Sequence, residues 1–514
     1  MALRVGLITS GTRGDVQPLL ALSQELKARG HEVAICCPAC SVSLVQEHGF
    51  EAFSMTYDLM QAIQGPEMQD AIDHGDGARC IQAINEAQQR QIKETGVDSA
   101  DEVYEFVRKY LPDVLVGHPS FVPLVAVAEA FSLPLINALF MPFLPSRTVQ
   151  PAWFTTAQLQ DADLINKPLE AHKRVWDGYI TEPILEHVNS LRARWGLLPY
   201  ESVAHLHAVY QSTPEANCWS SQIFAEPPDM AQEFPLAKQV GYLFADAPRD
   251  YELPSRLVTF LQSGKKPVYV GFGSLCVGDP RIASEKVIRA LRKAGQRCIM
   301  AGGWAGISPA HLDESKTFDF AALKKLLGIA FGCGTLLGHC ETLAVFADEH
   351  VFHVEAAPHD QLLPSCCGAV HHGGAGTVAA VARAGIPGAI LPVAWDQPWW
   401  GEHLETQGVG INLGQMISKV DEDDLASAFT RLAEDQGLAE RSAALAAAIS
   451  KERPGRQCLA DFVESCVHLP HPWATQAGAR GARVLQPALW DRASPELSKS
   501  SDADEGRAAT LGGA

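Results

Sequence analysis

The stretch from His371 to Gln397 constrains the fold more than any other part of this chain. It reads HHGGAGTVAAVARAGIPGAILPVAWDQ and follows a short apolar run. Apolar runs of strand length on either side of a glycine-rich turn and an alanine-rich helix are typical of one βαβ unit. The predicted elements are a strand at Gly368–Val370, a turn at His371–Gly376, a helix at Thr377–Arg383, a strand at Ala389–Val393 and an exposed Trp-Asp-Gln loop. Such units build open α/β sheets, which bind ligands at the carboxyl ends of their strands.

The glycines of this unit predict an anion site. Gly373, Gly374 and Gly376 let backbone N–H groups approach a bound group, and the helix that they open favours negative charge. An imidazole at that helix N-terminus, His372, can donate a hydrogen bond to a phosphate oxygen. The alternative is that His372 only caps the turn. His371, on the other side of the strand end, is expected to be structural.

The composition favours a soluble enzyme and argues against a nucleic-acid partner. Charged residues make up 20% of the 514 residues, and the net charge is −19, whereas nucleic-acid binding needs clustered Lys and Arg. The thirteen cysteines lack zinc-site spacing, so no metal is expected and the thiols are expected to be reduced. No secretory leader or transmembrane-length run is found, which predicts a cytoplasmic protein. A peripheral contact with a membrane stays open.

The amino-terminal segment predicts a second βαβ unit. Arg4–Ser10 is an apolar strand, Gly11–Pro18 a polar loop, Leu19–Arg29 an amphipathic helix and Glu32–Cys37 a buried strand. The loop, GTRGDVQP, lacks the G-x-G-x-x-G spacing of a dinucleotide site, and no acidic residue closes the second strand. A nicotinamide or flavin cofactor is therefore not expected.

Alternation of strands and helices divides the chain into two α/β domains, each a doubly wound parallel sheet. The predicted boundaries are 1–240 for the first domain, 241–254 for a linker and 255–452 for the second domain. A helix within 453–470 is expected to cross back to the first domain. The Ala/Gly/Ser-rich end, 471–514, is expected to be disordered. An irregular insertion over 302–349 receives no chemical role.

Aromatic residues are frequent between Met141 and Tyr200, among them Phe143 and Trp153. Buried aromatic side chains usually belong to the hydrophobic core. Alternatively, some of them line an apolar cleft for a small molecule. Both interpretations stay open, and each can hold for different residues.

Four stretches resemble the sterol 3-β-glucosyltransferases and the related antibiotic-tailoring glycosyltransferases. They are SGTRGDVQP (Ser10–Pro18), LFMPFLPSR (Leu139–Arg147), GFGSL (Gly271–Leu275) and PHDQLLPSCCGAVHHGGAGT…WDQPWWGE (Pro358–Glu402), in the family's order. The resemblance implies the GT-B fold, in which two Rossmann-like domains face each other across a cleft. The first domain would bind the acceptor and the second the nucleotide sugar. It also implies an inverting enzyme without a metal or resident cofactor, because the UDP-sugar is a co-substrate.

Two departures from the family pattern concern the insertion and the acceptor side. Some fifty residues separate Trp304 from Pro358, where the family has a short step. The segment Gln150-Pro151-Ala152-Trp153 replaces the family's His-Pro-Phe. The second departure lies where the acceptor should bind, so it bears on the choice of acceptor.

The resemblance assigns the diphosphate of the donor to one group of residues. His372 matches the family's diphosphate-binding histidine, which agrees with its position at a helix N-terminus. Gly374 and Thr377 would add phosphate contacts together with Gly373 and Gly376. Ser274, in GFGSL, would add a hydroxyl from the neighbouring strand end.

Sugar and acceptor binding fall to other residues. Asp396 and Gln397 match the pair that holds the sugar hydroxyls in this superfamily, since a carboxylate and an amide together satisfy several hydroxyl groups. The alternative for Asp396 is a solvated loop residue. Phe143 and Trp153 are assigned to the acceptor cleft.

Asp15 matches the family's proposed catalytic base. The alternative for Asp15 is a turn or helix-cap residue of the segment that precedes Pro18. His118 follows another strand of the first domain and is a second candidate for base or relay. His359 and Glu402 are weaker candidates.

The leading hypothesis is a glycosyltransferase that moves glucose from UDP-glucose to a hydroxyl of a sterol or similar apolar acceptor. One alternative acceptor is another small hydrophobic natural product. A different class is a sugar-nucleotide epimerase, which also has two Rossmann-like domains but needs no acceptor. A third reading is a catalytically silent protein that only binds apolar ligands. The intact residues Asp15, His372 and Asp396 argue against it.

Overall fold

The computed structural model describes residues 1–57, 59–74, 77–152, 164, 166–246, 252–273, 278–312, 342–355, 358–469, 471 and 473. Much of the insertion and nearly all of the predicted disordered tail lie outside these described residues. None of the described helices has the length and apolar character needed to cross a membrane.

Seven parallel strands form the first sheet, in the order β3-β2-β1-β4-β5-β6-β7. They are β1 (Arg4–Ile8), β2 (Glu32–Pro38), β3 (Glu51–Met55), β4 (Val114–Gly117), β5 (Leu135–Leu139), β6 (Glu215–Asn217) and β7 (Ala237–Gln239). Strands such as Val114–Gly117 are buried along their whole length, as expected when helices cover both faces of a parallel sheet.

The first sheet and the helices packed on it form the first unit of the structure, and the second sheet with its helices forms the second unit. The helices of the first unit include α1 (Arg13–Ala28), α2 (Val42–Glu47), α3 (Leu59–Gln64), α4 (Pro66–Asp73), α5 (Gly77–Thr95), α6 (Ser99–Tyr110), α7 (Leu124–Ala130), α8 (Pro168–Tyr179), α9 (Glu182–Arg194), α10 (Val203–Gln211) and α11 (Met230–Glu233). The predicted loop Gly11–Pro18 is wrong, because α1 begins at Arg13 and contains Pro18. Thr12 and Asp15 form a capping box that starts the helix before the proline.

Six parallel strands form the second sheet, in the order β10-β9-β8-β11-β12-β13. They are β8 (Val268–Gly271), β9 (Cys298–Ala301), β10 (Val351–Val354), β11 (Gly368–His371), β12 (Gly388–Ile390) and β13 (Gly410–Asn412). The accompanying helices are α12 (Ser255–Gln262), α13 (Pro280–Ala294), α14 (Leu343–His350), α15 (His359–Leu362), α16 (Ala375–Ala384), α17 (Gln397–Thr406), α18 (Glu422–Glu434), α19 (Gln436–Ile449) and α20 (Gly455–Cys466). Two doubly wound sheets therefore confirm the predicted α/β fold.

The two sheet units contact each other through buried side chains and hydrogen bonds. One hydrophobic cluster joins Leu115 of β4 to Val378 of α16 and Trp400 of α17. His403 Nε2, also on α17, donates to the carbonyl of Ile223 over 2.7 Å. Helix α17 therefore touches the first unit along its length, while its first residues lie in the cleft between the sheets.

The last described helix, α20, packs on α1 of the first unit. Arg29 Nη1, at the end of α1, lies 2.7 Å from Asp461 Oδ1 and 3.2 Å from Glu464 Oε2. His31 Nε2 lies 3.0 Å from Glu464 Oε1. The chain thus returns to the first unit after it has completed the second sheet.

Candidate active site

Each sheet has one point where the strand order reverses. In the first sheet β1 lies beside β4, and in the second β8 lies beside β11. Ligands of open α/β sheets bind at the carboxyl ends of the strands at such points. Asp15 and His118 follow β1 and β4, while His372 follows β11. The predicted residues of both units therefore lie at the two switch points.

A cavity of about 1510 Å³ lies between the two sheets. Its walls include Asp15 and His118 from the first unit, and Gly374, Gly376, His372, Thr377, Asp396 and Gln397 from the second. Small-molecule sites usually occupy about 300 to 1,000 Å³. The cavity therefore has room for two small ligands side by side.

Asp15 both caps helix α1 and lines the cavity. Its Oδ2 accepts a 2.7 Å hydrogen bond from the backbone N–H of Thr12. The capping role considered for Asp15 is therefore present, and it fixes the carboxylate at the carboxyl end of β1. The same fixed carboxylate belongs to the cavity wall, so a capping role and a chemical role are compatible.

His118 is the residue that follows β4, and it lies close enough to Asp15 to be affected by its charge. Its Nδ1 accepts a 3.2 Å hydrogen bond from the N–H of Ser120 and lies 2.7 Å from the Ser120 hydroxyl. A neutral imidazole that accepts at Nδ1 carries its proton on Nε2. Burial lowers the pKa of His118, and the charge of Asp15 opposes that shift. The ring is consequently neutral near pH 7 and electrostatically coupled to Asp15.

His372 stands at the N-terminus of α16. The side chain is 8% exposed, and its Nδ1 has no hydrogen-bond partner among the described residues. A Cβ on Gly374 would lie 2.4 Å from His372 Nε2, so the glycine lets the ring occupy this position. Burial and, to a smaller extent, nearby His359 lower the pKa of His372 to about 4. The imidazole of His372 is therefore neutral and borders the cavity, and its Nδ1 is available for a hydrogen bond to a ligand.

The glycine turn leaves the start of α16 open. Gly373 has a φ of 89°, a conformation that disfavours other residues, and no side chain caps the helix at Gly374. The neighbouring His371 is fully buried, and its Nδ1 accepts from the Gly373 N–H over 3.1 Å. His371 thus holds the turn, whereas the uncapped N–H groups of α16 remain for an anion.

The predicted exposed Trp-Asp-Gln loop is wrong, because Asp396 is 7% and Gln397 3% exposed. Asp396 Oδ2 accepts a 2.7 Å hydrogen bond from Trp400 Nε1, and Gln397 Oε1 accepts from the N–H groups of Val393 and Ala394. Burial raises the pKa of Asp396 to about 7 against the effect of that hydrogen bond. Both side chains are held in place by these hydrogen bonds, and both border the cavity.

Three predicted site residues remain, namely Phe143, Trp153 and Ser274. Phe143 is 6% exposed and packs in the core against Trp176, at a ring distance of 4.9 Å, and does not line the cavity. Trp153 and Ser274 lie outside the described residues. Among the described residues no cluster of three or more His, Cys, Asp or Glu side chains is arranged to hold a metal ion.

Two family models match this chain, one in each half. The Glycosyltransferase family 28 N-terminal domain matches residues 5–147, which carry β1, α1 and Asp15. The Erythromycin biosynthesis protein CIII-like C-terminal domain matches residues 338–469, which carry His372 and Asp396.

The overall structure resembles solved glycosyltransferases. The glycosyltransferase SnogD from Streptomyces nogalater has a TM-score of 0.53 and 19% identity, covering 91% of this chain and 100% of that one. The glycosyltransferase VinC in complex with dTDP has a TM-score of 0.55 and 16% identity, covering 90% and 99%. The chain therefore has the GT-B fold of these solved glycosyltransferases.

Sterol glucosyltransferases are similar to this GT-B chain in sequence. A sterol 3-beta-glucosyltransferase of Arabidopsis thaliana is 29% identical over 426 residues, 79% of this chain and 57% of the plant protein. The enzyme of Pichia angusta is 27% identical over 457 residues, 87% of this chain and 32% of the yeast protein. The GT-B chain thus spans little more than half of the plant relative and a third of the yeast one.

Three side-chain roles in this GT-B chain were not predicted from the sequence. Trp400 orients Asp396, and the spacing of four residues on one helix could have indicated the pair. Tyr269 and Arg13 line the cavity beside the donor-side histidines. Tyr269 lies within an apolar strand and Arg13 within a motif, so neither carried a signal of its own.

Proposed function

We propose that this GT-B chain is an inverting, metal-independent glycosyltransferase that moves glucose from UDP-glucose to a hydroxyl of a sterol or similar apolar acceptor. The observation that carries the proposal is the shared cavity. Its wall contains a carboxylate and an imidazole of the first unit together with the uncapped start of α16 and a buried carboxylate of the second.

The second unit would hold the donor. His372 and the open N-terminus of α16 offer hydrogen-bond donors to the diphosphate, so protein groups stabilise the leaving group. Asp396 and Gln397 would accept and donate hydrogen bonds to the sugar hydroxyls.

The first unit would hold the acceptor. Its part of the cavity wall contains the apolar side chains of Ile63, Phe121, Val122, Phe140 and Met141. Apolar walls with a few polar groups suit a hydrophobic ligand with one hydroxyl. The names of the relatives in Arabidopsis thaliana and Pichia angusta support a sterol.

The reaction would be a single displacement. The acceptor oxygen forms a bond to the anomeric carbon of glucose while the bond from that carbon to the diphosphate oxygen breaks. UDP leaves with the bonding electrons, and Asp15 takes the hydroxyl proton, with neutral His118 beside it. Attack from the face opposite UDP inverts the anomeric configuration.

A screen of acceptors tests this proposal. The purified chain is incubated with UDP-glucose and, separately, a sterol, a flavonoid and a macrolide, and product masses are measured. The sterol glucoside is the expected product. Transfer to the macrolide alone would identify the acceptor as a natural product and not a sterol. A natural product of this kind, spinosyn, appears in the name of one structurally similar enzyme, the spinosyn forosaminyltransferase. Absence of any glucoside would overturn the proposal.

A further inference from the structure

A tyrosine and a histidine of the second unit form a pair at the cavity wall. Tyr269 Oη, on β8, lies 3.1 Å from His359 Nε2, at the start of α15. The two rings meet edge to face, with centroids 5.4 Å apart and planes at 83°. Both residues line the cavity together with His372.

The backbone around the pair is built to admit it. A Cβ on Gly271 would lie 2.5 Å from Tyr269 Oη, so a glycine is needed for the hydroxyl to occupy this place. Tyr269 is 6% exposed, and burial raises its pKa far above the ordinary range, so the phenol stays protonated. It therefore donates to His359 Nε2, which leaves the proton of the neutral imidazole on Nδ1.

The charged and titratable groups around His359 come from three elements. Burial and, to a smaller extent, Arg13 of α1 lower the pKa of His359 to about 4, while the adjacent Asp360 opposes the shift. His371 and His372, at the end of β11, are close enough for the charge of His359 to lower their pKa values. Imidazoles and one guanidinium thus gather around one end of the cavity.

Two polar groups at this end have no side-chain partner among the described residues. His372 Nδ1 is buried without a partner among the described residues, and α16 begins without a side-chain cap. Hydrogen-bond donors, a guanidinium and imidazoles that can become protonated together favour a bound anion in a low-dielectric site. The diphosphate of the donor is the anion that the proposed function supplies.

We infer that His359 is a second imidazole of the diphosphate site and that Tyr269 is its positioning residue. Tyr269 holds the ring so that His359 Nδ1–H donates to a phosphate oxygen beside His372. The inference rests on the proposed function for the identity of the donor. The arriving negative charge also favours the protonated imidazole, whose Nε2–H then donates to the Tyr269 hydroxyl, so binding of the diphosphate is accompanied by proton uptake.

Titration calorimetry of the full chain with UDP and with uridine tests the pair. His359→Asn should weaken UDP binding about 10- to 100-fold and leave uridine binding unchanged, because only UDP carries the phosphates. Tyr269→Phe keeps the ring but loses the hydroxyl, and should weaken UDP binding about 3- to 10-fold. His350→Asn on the surface of α14 and Tyr104→Phe on α6 are matched controls that should bind UDP like the wild type.

Repeating the titrations near pH 7 in buffers of different ionisation enthalpy measures proton uptake. The wild type should take up protons with UDP and none with uridine, and His359→Asn should take up fewer. Unchanged UDP affinity in His359→Asn, or an equal loss for UDP and uridine, would overturn the inference and leave the proposed function standing. A wild type that binds UDP no better than uridine would overturn both.

Discussion

Trp400 Nε1 donates a 2.7 Å hydrogen bond to Asp396 Oδ2 across one turn of helix α17. Trp400 is fully buried and Asp396 nearly so, which holds the carboxylate in one orientation. The same helix reaches the first unit through His403. The carboxylate assigned to the sugar is therefore fixed to the interface between the two units.

Asp396→Asn should raise the KM for UDP-glucose about 10- to 100-fold, with little change in the affinity for UDP, because an amide is a weaker acceptor for sugar hydroxyls. The side chain keeps its size and can still accept from Trp400. Equal losses of UDP-glucose and UDP binding, measured by calorimetry, would contradict a role at the sugar.

The difference in UDP-glucose binding between the wild type and Asp396→Asn should depend on pH, because burial raises the pKa of Asp396 in the wild type to about 7. Below pH 7 the wild-type carboxyl is neutral, and above it the carboxylate accepts strongly. The advantage of the wild type over Asp396→Asn in UDP-glucose binding should therefore grow between pH 6 and pH 8. A constant difference across that range would contradict the assignment.

Asp15→Asn should lower kcat by about 100- to 10,000-fold, which is the usual contribution of a general base. The asparagine oxygen can still accept from the Thr12 N–H, so the cap of α1 and the thermal stability should be retained. UDP affinity should also stay close to that of the wild type. Turnover near the wild-type value would remove Asp15 from the mechanism.

His372→Ala should weaken UDP binding about 10-fold by removing a donor to the diphosphate. A variant at a histidine away from the cavity, His311→Ala, should bind UDP like the wild type. If calorimetry shows that His372→Ala keeps full UDP affinity, His372 is a turn residue and the phosphate site lies elsewhere.

Acid should destabilise the protein through its buried neutral histidines. Burial lowers the pKa to about 3 in His371 and about 4 in His359, His372, His172 and His207. Between pH 6.5 and pH 4 the unfolded chain binds these protons and the folded chain does not, so stability falls as the pH falls, by up to about 1.4 kcal/mol per unit and histidine. Asp396, Glu215 and Glu226, whose pKa values are raised by burial, oppose three of these contributions. The urea midpoint should be lower at pH 5 than at pH 6.5, and an equal midpoint would contradict neutral burial.

The α/β fold could be predicted from the sequence because buried parallel strands have a recognisable pattern, a short apolar run between two turns. The sequence was also sufficient to place His372, since glycines and a helix start coincide there. The start of α1 was missed because Pro18 resembles the first residue of a helix, whereas the capping box of Thr12 and Asp15 begins the helix earlier.

Side-chain burial was harder to predict. Asp396 was expected in an exposed loop because Asp favours loops, but long-range packing of α17 against β12 and the first unit buries it. The pair of Tyr269 and His359 joins residues 90 positions apart. No local pattern reveals a contact of that kind.

The most direct test of the central claim is the anomeric configuration of the product made from UDP-glucose, in which glucose is α-linked, measured by NMR. A single displacement across the cleft, with Asp15 as the base, predicts a β-linked glucoside of the acceptor. An α-linked product, or conversion of UDP-glucose to another UDP-sugar without an acceptor, would contradict it.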